Sequence, residues 1–302
     1  MNRAPARPSA SDQNQIKPSS ALNPMIGTIR GFFVGMKNDR VRFDAGSFLT
    51  LSNMASPDHA SPAGKRAGLD LCWPAAPWPL SRLVGHSGPK VVLWLAGPVG
   101  PEEIPSLVWD SLVEEEKARA NRFFQAEDRR LFAFTRATLR HLLSRTTKIP
   151  AKDICFSEGP NGKPRLSSGA GPCFNVSHSG AYALIGLSDE RPIGVDIEWM
   201  RGFADQMDVA RSFFSTAEYQ ALTQLGTAMR HEAFYKIWTC KEAVLKALGV
   251  GIIAHLKEFS VEWNKAPHRL LWDRNCSLPG LALIEAFPLE VTEGYAGCYA
   301  LA

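Results

Sequence analysis

Apolar and polar positions recur along the chain with two different periods from residue 91 onward. Apolar residues at spacings of three and four predict amphipathic helices, because such residues share one face of a helix. Short β-rich runs bounded by Gly, Pro or Asp predict strands. The predicted helices are 105–124, 127–145 and 229–248. The predicted strands are 91–97, 154–158, 173–178, 181–188, 193–199, 258–263, 281–287 and 294–302.

The order of these elements predicts the fold class. Ser215 and Glu218 form a capping-box pattern, which marks one more helix start. Helices are then followed by strands twice, so we predict an α+β protein of two similar halves, 91–190 and 191–302. The strand 193–199 falls near the junction of the halves, although no repeat is visible in the sequence itself.

The first 90 residues differ from the remainder in composition and charge. Residues 1–24 are rich in Pro, Ser, Ala and Asn, and residues 55–90 in Pro, Gly and Ala. We interpret 1–90 as a partly irregular N-terminal extension of unknown role. The run 25–43 between them is compatible with paired strands. Residues 1–90 contain 11 Lys and Arg against 5 Asp and Glu, whereas the remainder contains 23 against 25. This neutral remainder argues against a nucleic-acid-binding surface spread over the fold.

Several classes of protein are disfavoured by the composition. No apolar run approaches the ~18–20 residues that a membrane helix needs, and the first twenty residues lack the apolar core of a secretion signal. The six cysteines are scattered, with no pair at CxxC spacing, which is typical of reduced thiols in a cytosolic protein. We therefore expect a cytoplasmic protein without a membrane span.

Two acids share one face of the strand 193–199. The two-residue alternation of a strand places Asp196 and Glu198 on one side, and Val195 and Ile197 on the other. Taken alone, this pattern favours an ordinary half-buried strand whose acids face solvent.

A third acid falls where a helix should be apolar. Phe234, Trp238, Glu242 and Leu245 follow one another at helical spacing, which places Glu242 within the apolar stripe of the helix 229–248. A buried carboxylate must protonate, pair or bind a metal ion. One interpretation is an internal ion pair with a neighbouring lysine, Lys241 or Lys246.

The other interpretation joins the three acids into an oxygen-ligand site for a hard cation. Mg²⁺ takes few protein carboxylates and completes its shell with water and substrate phosphates, and Mn²⁺ is a substitute with similar ligands. No His or Cys stands in these segments at zinc-site spacing, which disfavours zinc there. Lys246 lies one turn beyond Glu242 and could contact a pyrophosphate, although a lysine on a helix is usually solvated.

Two more segments carry groups that could bind phosphate. Lys163 lies in a Gly/Pro turn, and Ser177 and His178 lie at the end of the strand 173–178. Each of these residues, taken singly, is more often structural or merely exposed. Neither GxxxxGK[ST] nor GxGxxG occurs, which argues against a P-loop or a Rossmann site.

Four motifs resemble those of a known family. "GKP" (162–164), "FNVSHSG" (174–180), "GVDIE" (194–198) and "FYKIWTCKEAVLKALGVGI" (234–252) are similar, in order and spacing, to the motif set of Sfp-type 4′-phosphopantetheinyl transferases. The resemblance covers roughly residues 91–302. It implies two α+β halves related by a pseudo-twofold axis, with the active site at their interface.

The resemblance also implies a reaction and partners. Members of the family move the phosphopantetheine group of coenzyme A to a serine of an apo acyl or peptidyl carrier protein, release 3′,5′-ADP and use Mg²⁺. A monomer is implied, because both halves lie in one chain. The rival hypotheses are a Mg²⁺-dependent phosphohydrolase or nucleotidyl transferase, and a non-catalytic module that binds coenzyme A.

The family's functional residues carry over by matching position. The implied metal ligands are Asp196, Glu198 and Glu242. Glu242 would also be the base for the incoming serine, and Lys246 would contact the pyrophosphate. The implied nucleotide-binding residues are Gly162, Lys163, Pro164, Ser177, His178, Arg119 and Arg130. The two arginines come from a poorly matching stretch, in which Lys117 or Arg122 could replace them.

Overall fold

The computed structural model describes residues 80–83, 90–100, 102–202 and 204–302. The paired strands predicted within 25–43 lie outside the described residues, and so does Cys72. Among the described helices, none combines the length and the apolar character that crossing a bilayer requires.

The first half of the described chain is a four-stranded antiparallel sheet with one long helix. The sheet has the order β1-β2-β6-β5, and β3 pairs with β4 in a separate hairpin. The elements are β1 (Leu80–Arg82), β2 (Val91–Ala96), α1 (Ser106–Asp110), α2 (Glu114–Ala120), α3 (Ala126–Thr147), β3 (Phe156–Glu158), β4 (Pro164–Leu166), β5 (Cys173–Ser179) and β6 (Tyr182–Ser188). The sheet thus begins at Leu80, inside the stretch predicted as an extension.

The second half repeats this plan with one strand fewer. Its sheet has the order β10-β11-β7, and β8 pairs with β9 in a separate hairpin. The elements are β7 (Ile193–Trp199), α4 (Gln206–Phe213), α5 (Thr216–Thr223), α6 (Thr227–Leu248), α7 (Ile252–His255), β8 (Phe259–Glu262), β9 (Arg269–Trp272), β10 (Glu285–Leu289) and β11 (Tyr295–Leu301).

The two halves have the same topology. The order β2-β6-β5 in one sheet corresponds to β7-β11-β10 in the other, and each sheet is accompanied by a helix of 22 residues and then a hairpin. Both long helices end at a left-handed residue, Lys148 with φ 63° and Gly249 with φ 70°. The α+β class with two similar halves is therefore confirmed.

The sheets pack face to face, and the long helices cover their outer faces. In β6, Leu184 joins the core between the sheets, whereas Ile185 and Leu187 face α3. The core between the sheets contains Val91, Leu93, Leu95, Leu184, Ile193, Val195, Ile197, Leu289, Tyr299 and Leu301. Each such side chain contributes about 1.5–3 kcal/mol on burial, so this core holds the halves in register.

The local differences from the predicted elements have physical reasons. The predicted helix 105–124 is two short helices, because Ser111 donates its hydroxyl to Leu107 O at 2.7 Å and α1 ends there. The start of the predicted strand 281–287 is a 3₁₀ turn, Leu281–Leu283, entered through Gly280 at φ 80°. The helix α4 and the strand β9 were not predicted, since each is too short for a clear period.

Candidate active site

The edge strands of the two sheets meet along a row of side-chain hydrogen bonds. Asn175 in β5 accepts the backbone N–H of Val195 through Oδ1 at 2.8 Å. Four residues further along β5, Ser179 accepts the backbone N–H of Trp199 at 3.0 Å. The side chains of Asn175 and Ser179 therefore accept backbone N–H groups of β7, in place of the backbone-to-backbone hydrogen bonds of a regular sheet.

The same row of β5 side chains contacts the acids of β7. Ser177 donates its hydroxyl to Asp196 Oδ1 at 2.8 Å, and Ser179 donates to Glu198 Oε2 at 2.8 Å. Asp196 is 1% exposed, so the interpretation of this strand as half-buried with solvent-facing acids is wrong for Asp196. Ile197 lies on the opposite face in the core, as the alternation predicted.

A glycine lets the helix α6 lie directly against β7. A Cβ atom on Gly194 would be 2.0 Å from Ala243 O and 2.4 Å from Ala247 N, so any larger residue would push the helix away. This close approach brings Glu242 and Lys246 of α6 beside the acids of β7. Glu242 is 6% exposed, which confirms its predicted place within the buried face of the helix.

The ammonium of Lys246 lies at the centre of the cluster. Its Nζ is 2.6 Å from Asp196 Oδ1, 3.1 Å from Glu242 Oε2 and 3.3 Å from Ser177 Oγ. The internal ion pair of Glu242 with a lysine is thus present. It does not neutralise the cluster, because three carboxylates face one ammonium.

Lys241 points to the other side of α6 and is fully buried. It pairs with Glu218 at 3.0 Å and donates to the carbonyl oxygens of Leu256, at 2.8 Å, and Phe259. The expectation that lysines on this helix are solvated is therefore wrong for both Lys241 and Lys246, since burial against a carboxylate decides their position.

The excess of acids changes the pKa values within the cluster. Burial raises the pKa of Asp196 to about 7; Lys246 opposes the rise and Glu242 adds to it. Burial, followed by the charges of Asp196 and Glu242, raises the pKa of Glu198 well above its ordinary value. Burial would lower the pKa of Lys246, but Asp196 and Glu242 outweigh it and the pKa is raised. The cluster is therefore short of positive charge.

The cluster fits a divalent cation in donor chemistry and in charge, although Lys246 lies between Asp196 and Glu242 and the oxygens of the three acids do not all lie within 4.8 Å of one another. Asp196 Oδ2 is buried and has no hydrogen-bond partner among the described residues. Carboxylate oxygens are the ligands that Mg²⁺ and Mn²⁺ prefer. With the three acids ionised, their charge and that of Lys246 sum to two negative charges, which a divalent cation would cancel.

The turn that carries "GKP" contacts the C-terminus of α6. Lys163 Nζ donates to Ile193 O at 2.8 Å and to Ala247 O at 3.4 Å, and Asn161 donates to Gly249 O at 2.8 Å. Gly162 has φ 78°, which the turn requires, and Pro164 begins β4. These donors satisfy a carbonyl group at the start of β7 and two at the end of α6. Burial lowers the pKa of Lys163 to about 8.

The charges of Lys246 and Arg119 both act on the imidazole ring of His178. His178 is exposed at the end of β5, although many protein atoms lie around its ring. That environment, with the charges of Lys246 and Arg119, lowers the pKa of His178 to about 4, so its ring is neutral at pH 7. The guanidinium of Arg119 lies 5.1 Å from the centre of the Phe132 ring. The link of Arg119 to the site is its charge, which acts on His178.

Arg130 and Lys117 have local partners instead. Arg130 pairs with Glu127 at 3.0 Å, three residues before it in α3, and Lys117 pairs with Glu114 at 2.9 Å in α2. Arg122 is exposed. The pKa of Arg119 is lowered by burial, then by the charge of Arg136, and then by the charge of Arg122. Of these four basic residues, Arg119 has the electrostatic link to the site.

Comparisons with known proteins agree with this architecture. Residues 102–189 match the family model described as 4′-phosphopantetheinyl transferase, N-terminal, and residues 192–278 match that of the 4′-phosphopantetheinyl transferase superfamily. The gap between the two matches falls between β6 and β7, where the halves join.

Relatives with the same description match half of this chain or more. The 4′-phosphopantetheinyl transferase HetI of Nostoc sp. is 37% identical over 175 residues, 57% of this chain and 73% of the relative. The 4′-phosphopantetheinyl transferase ffp of Bacillus subtilis is 34% identical, over 57% of this chain and 75% of the relative. The chain belongs to the 4′-phosphopantetheinyl transferase superfamily. The 4′-phosphopantetheinyl transferase Sfp of Bacillus subtilis, 32% identical over 50% of this chain and 66% of the relative, supports the Sfp-type resemblance.

Membership makes this protein an enzyme of a family that acts on carrier proteins. Sequence reasoning missed several residues that build the site of this transferase. Asn175 and Ser179 could have been found from their two-residue spacing around Ser177, which matches the spacing of the acids in β7. Gly194 could not have been found without the packing of α6, since many strands contain a glycine.

Proposed function

We propose that the protein transfers the 4′-phosphopantetheine group of coenzyme A to a serine of an apo acyl or peptidyl carrier protein, releases 3′,5′-ADP and depends on Mg²⁺. The observation that carries the proposal is the buried cluster of Asp196, Glu198, Glu242 and Lys246 between β7 and α6. A cluster with this excess of negative charge is costly unless a cation and a phosphate ligand complete it.

The proposed reaction is a displacement at the phosphorus that carries the pantetheine arm. The serine oxygen forms a bond to this phosphorus, and the bond from phosphorus to the bridging oxygen of the pyrophosphate breaks. The bridging oxygen leaves with 3′,5′-ADP, and Glu242 takes the serine proton. Lys246 Nζ lies 3.1 Å from Glu242 Oε2 and holds this carboxylate within the cluster.

Asp196, Glu198 and Glu242 would hold Mg²⁺, or Mn²⁺ in its place. The cation would offset charge on the pyrophosphate. The hydrogen bonds from Ser177 and Ser179 orient two of these carboxylates. The two serines therefore act as positioning residues. For Ser177 we propose this role instead of a contact with adenosine, because its hydroxyl is bonded to Asp196.

A second set of residues is assigned to the nucleotide end of coenzyme A. We propose that Lys163, with Gly162 and Pro164 in its turn, contacts this end together with His178. Lys163 is tied to α6 by its hydrogen bonds, so any contact with the nucleotide comes through the turn as a whole. Arg119 is the stronger candidate for the 3′-phosphate, and Arg130 is the weaker one because Glu127 already pairs with it.

A carrier-loading assay tests the proposal. Coenzyme A, Mg²⁺ and a panel of apo acyl and peptidyl carrier proteins are incubated with the enzyme, and the mass of each carrier is measured with the release of 3′,5′-ADP. We expect at least one carrier to gain the phosphopantetheine mass, with one 3′,5′-ADP for each group transferred. A carrier whose acceptor serine is replaced by alanine is the matched control and should gain nothing.

The same assay separates the rival functions. Release of 3′,5′-ADP without any carrier would instead show a phosphohydrolase. Tight binding of coenzyme A with no transfer to any member of the panel would show a non-catalytic module. Either result would overturn the proposed transfer.

A further inference from the structure

Three potential metal ligands meet in the second half, beside the helix α6 and the strand β11. Cys240 in α6, His268 just before β9 and Cys298 in β11 have ligand atoms within 4.8 Å of one another. All three residues are buried, with exposures of 0%, 6% and 1%. Within the described part of the chain, no other three His, Cys, Asp or Glu residues meet this condition.

The imidazole of His268 offers one free lone pair. Its Nδ1 is buried and has no hydrogen-bond partner among the described residues. Burial lowers the pKa of His268, although hydrogen bonding of the ring to the backbone of Lys265 and Glu262 works against this. The neutral ring therefore bonds to the backbone through Nε2, and its Nδ1 can act as a ligand. A backbone partner on the second nitrogen is the usual arrangement of a metal-binding histidine.

Each of the three residues is held by a separate element. His268 donates its backbone N–H to Ala286 O at 2.8 Å, which fixes it to β10. Cys298 lies opposite Asp196 in the pairing of β11 with β7. Cys240 lies in the fully buried part of α6, and the thiols of Cys240 and Cys298 hydrogen-bond to each other. The ligands are therefore in place before any ion binds.

We propose that Cys240, His268 and Cys298 form a zinc site. Two thiolates and one imidazole nitrogen are donors that Zn²⁺ prefers, and two thiolates with Zn²⁺ form a neutral unit that a buried position tolerates. A tetrahedral ion keeps its fourth position for a water molecule. His268 also lines a surface cavity of about 290 Å³, so the proposed site lies close to the surface on the side of this histidine.

A zinc ion at this site would cross-link three elements of the second half. A zinc ion there joins α6 to β11 and to the segment before β9. Cys240 is two residues before Glu242, and Cys298 faces Asp196 across the strand pair. The ion thus holds the helix and the sheet in the positions that the carboxylate cluster needs. This inference does not depend on the identity of the reaction.

The first test measures metal content. The full chain is purified without chelator and with excess Mg²⁺, which keeps zinc off the carboxylates, and zinc is quantified by mass spectrometry. We expect one zinc ion per chain in the wild type and in Cys155→Ala, an exposed cysteine that serves as control. We expect Cys298→Ala and His268→Gln to lose it. A wild-type chain that takes up no zinc after titration, or variants that keep it, would overturn the site.

A second measurement avoids the risk that a core variant fails to fold. The wild-type chain is freed of metal and titrated with Co²⁺, and the absorption spectrum is recorded. We expect thiolate-to-cobalt charge-transfer bands and the visible bands of a tetrahedral ion. With excess Mg²⁺ present to occupy the carboxylates, the absence of thiolate-to-cobalt bands would contradict the site. Detection of a Cys240–Cys298 disulfide in metal-free native protein, by peptide mapping, would assign the two thiols to redox chemistry instead.

Discussion

The helix α6 carries two buried lysines, five residues apart, in opposite electrostatic settings. Lys241 faces one carboxylate, Glu218, and burial lowers its pKa although Glu218 works against this. Lys246 faces Asp196 and Glu242, and the two carboxylates raise its pKa in spite of burial. The first lysine is in a balanced ion pair, whereas the second is in a cluster that lacks positive charge.

The carboxylates beside the two lysines also differ in their hydrogen bonding. Glu218 accepts the backbone N–H groups of Val261 and Ser215 with its two oxygens, each at 2.8 Å. Asp196 has one oxygen with two partners and the other with none among the described residues. A satisfied pair stabilises a fold, whereas an unsatisfied buried oxygen indicates a missing ligand. The comparison distinguishes a structural pair from a reaction site on one helix.

The largest effect should come from breaking the balanced pair. Lys241→Met leaves the carboxylate of Glu218 buried without its cation, and loss of one partner of a buried pair costs about 3–5 kcal/mol of unfolding free energy. Denaturant unfolding measures this. Lys236→Met, on the same helix and paired with Glu232 at the surface, is the control and should change stability by less than about 1 kcal/mol. Equal losses in both variants would contradict the structural role of Lys241.

The reaction site should show the reverse pattern. Glu242→Gln keeps the volume of the side chain and removes its charge, so we expect carrier loading to fall about 10²- to 10³-fold while the fold is retained. Glu232→Gln, an exposed acid on the same helix, is the matched control and should load carrier at the wild-type rate. Loading at full rate by Glu242→Gln would refute its role in transfer.

The pH dependence of stability gives a smaller effect of known sign. In the folded protein burial raises the pKa of Asp196 to about 7, above the value of about 3.9 in the unfolded chain. The folded state therefore binds the proton of Asp196 more tightly than the unfolded chain does. The stability that Asp196 contributes in this way is complete below about pH 4 and is lost as the pH rises through about 7. With chelator present, the melting temperature should fall between pH 5 and pH 8.

Asp196→Asn sharpens this measurement, because asparagine does not titrate. Its melting temperature should depend less on pH over the same range than that of the wild type. Addition of Mg²⁺ should stabilise the wild type more at pH 8 than at pH 5. A wild-type melting temperature that rises steadily from pH 5 to pH 8 without metal would show that Asp196 does not have a raised pKa.

The smallest effect concerns the docking of the carrier. Arg119 in α2, Arg122 in the turn after it and Arg136 in α3 lie close together. We expect these basic residues to attract an acidic carrier surface. Added salt should therefore raise the apparent KM for the carrier and leave kcat nearly unchanged. Arg122→Ala, which removes an exposed charge, should weaken this dependence. A KM that is independent of salt would contradict electrostatic attraction.

The sequence predicted those parts of the site that follow from local periodicity. The alternation of Asp196 with Ile197 and the place of Glu242 on its helix both came from spacing alone. The strand 193–199 has the predicted bounds, and so does the end of the helix 229–248. The two-halves architecture followed from the order of helices and strands.

The remainder depends on contacts between residues far apart in the chain. The ion pair of Lys241 needs Glu218, which a capping-box pattern identified only as a helix start. The approach of α6 to Gly194 and the meeting of Cys240 with His268 exist only in the folded chain. No spacing rule within one segment predicts such contacts.

Binding of Mn²⁺ tests the central claim most directly. Free Mn²⁺ is followed by electron paramagnetic resonance as it is added to the wild type and to Asp196→Asn, each with coenzyme A. The account predicts that the wild type binds one Mn²⁺ per chain and that Asp196→Asn binds it far more weakly. Equal binding by the two proteins would show that the buried acids of β7 and α6 do not form the cation site.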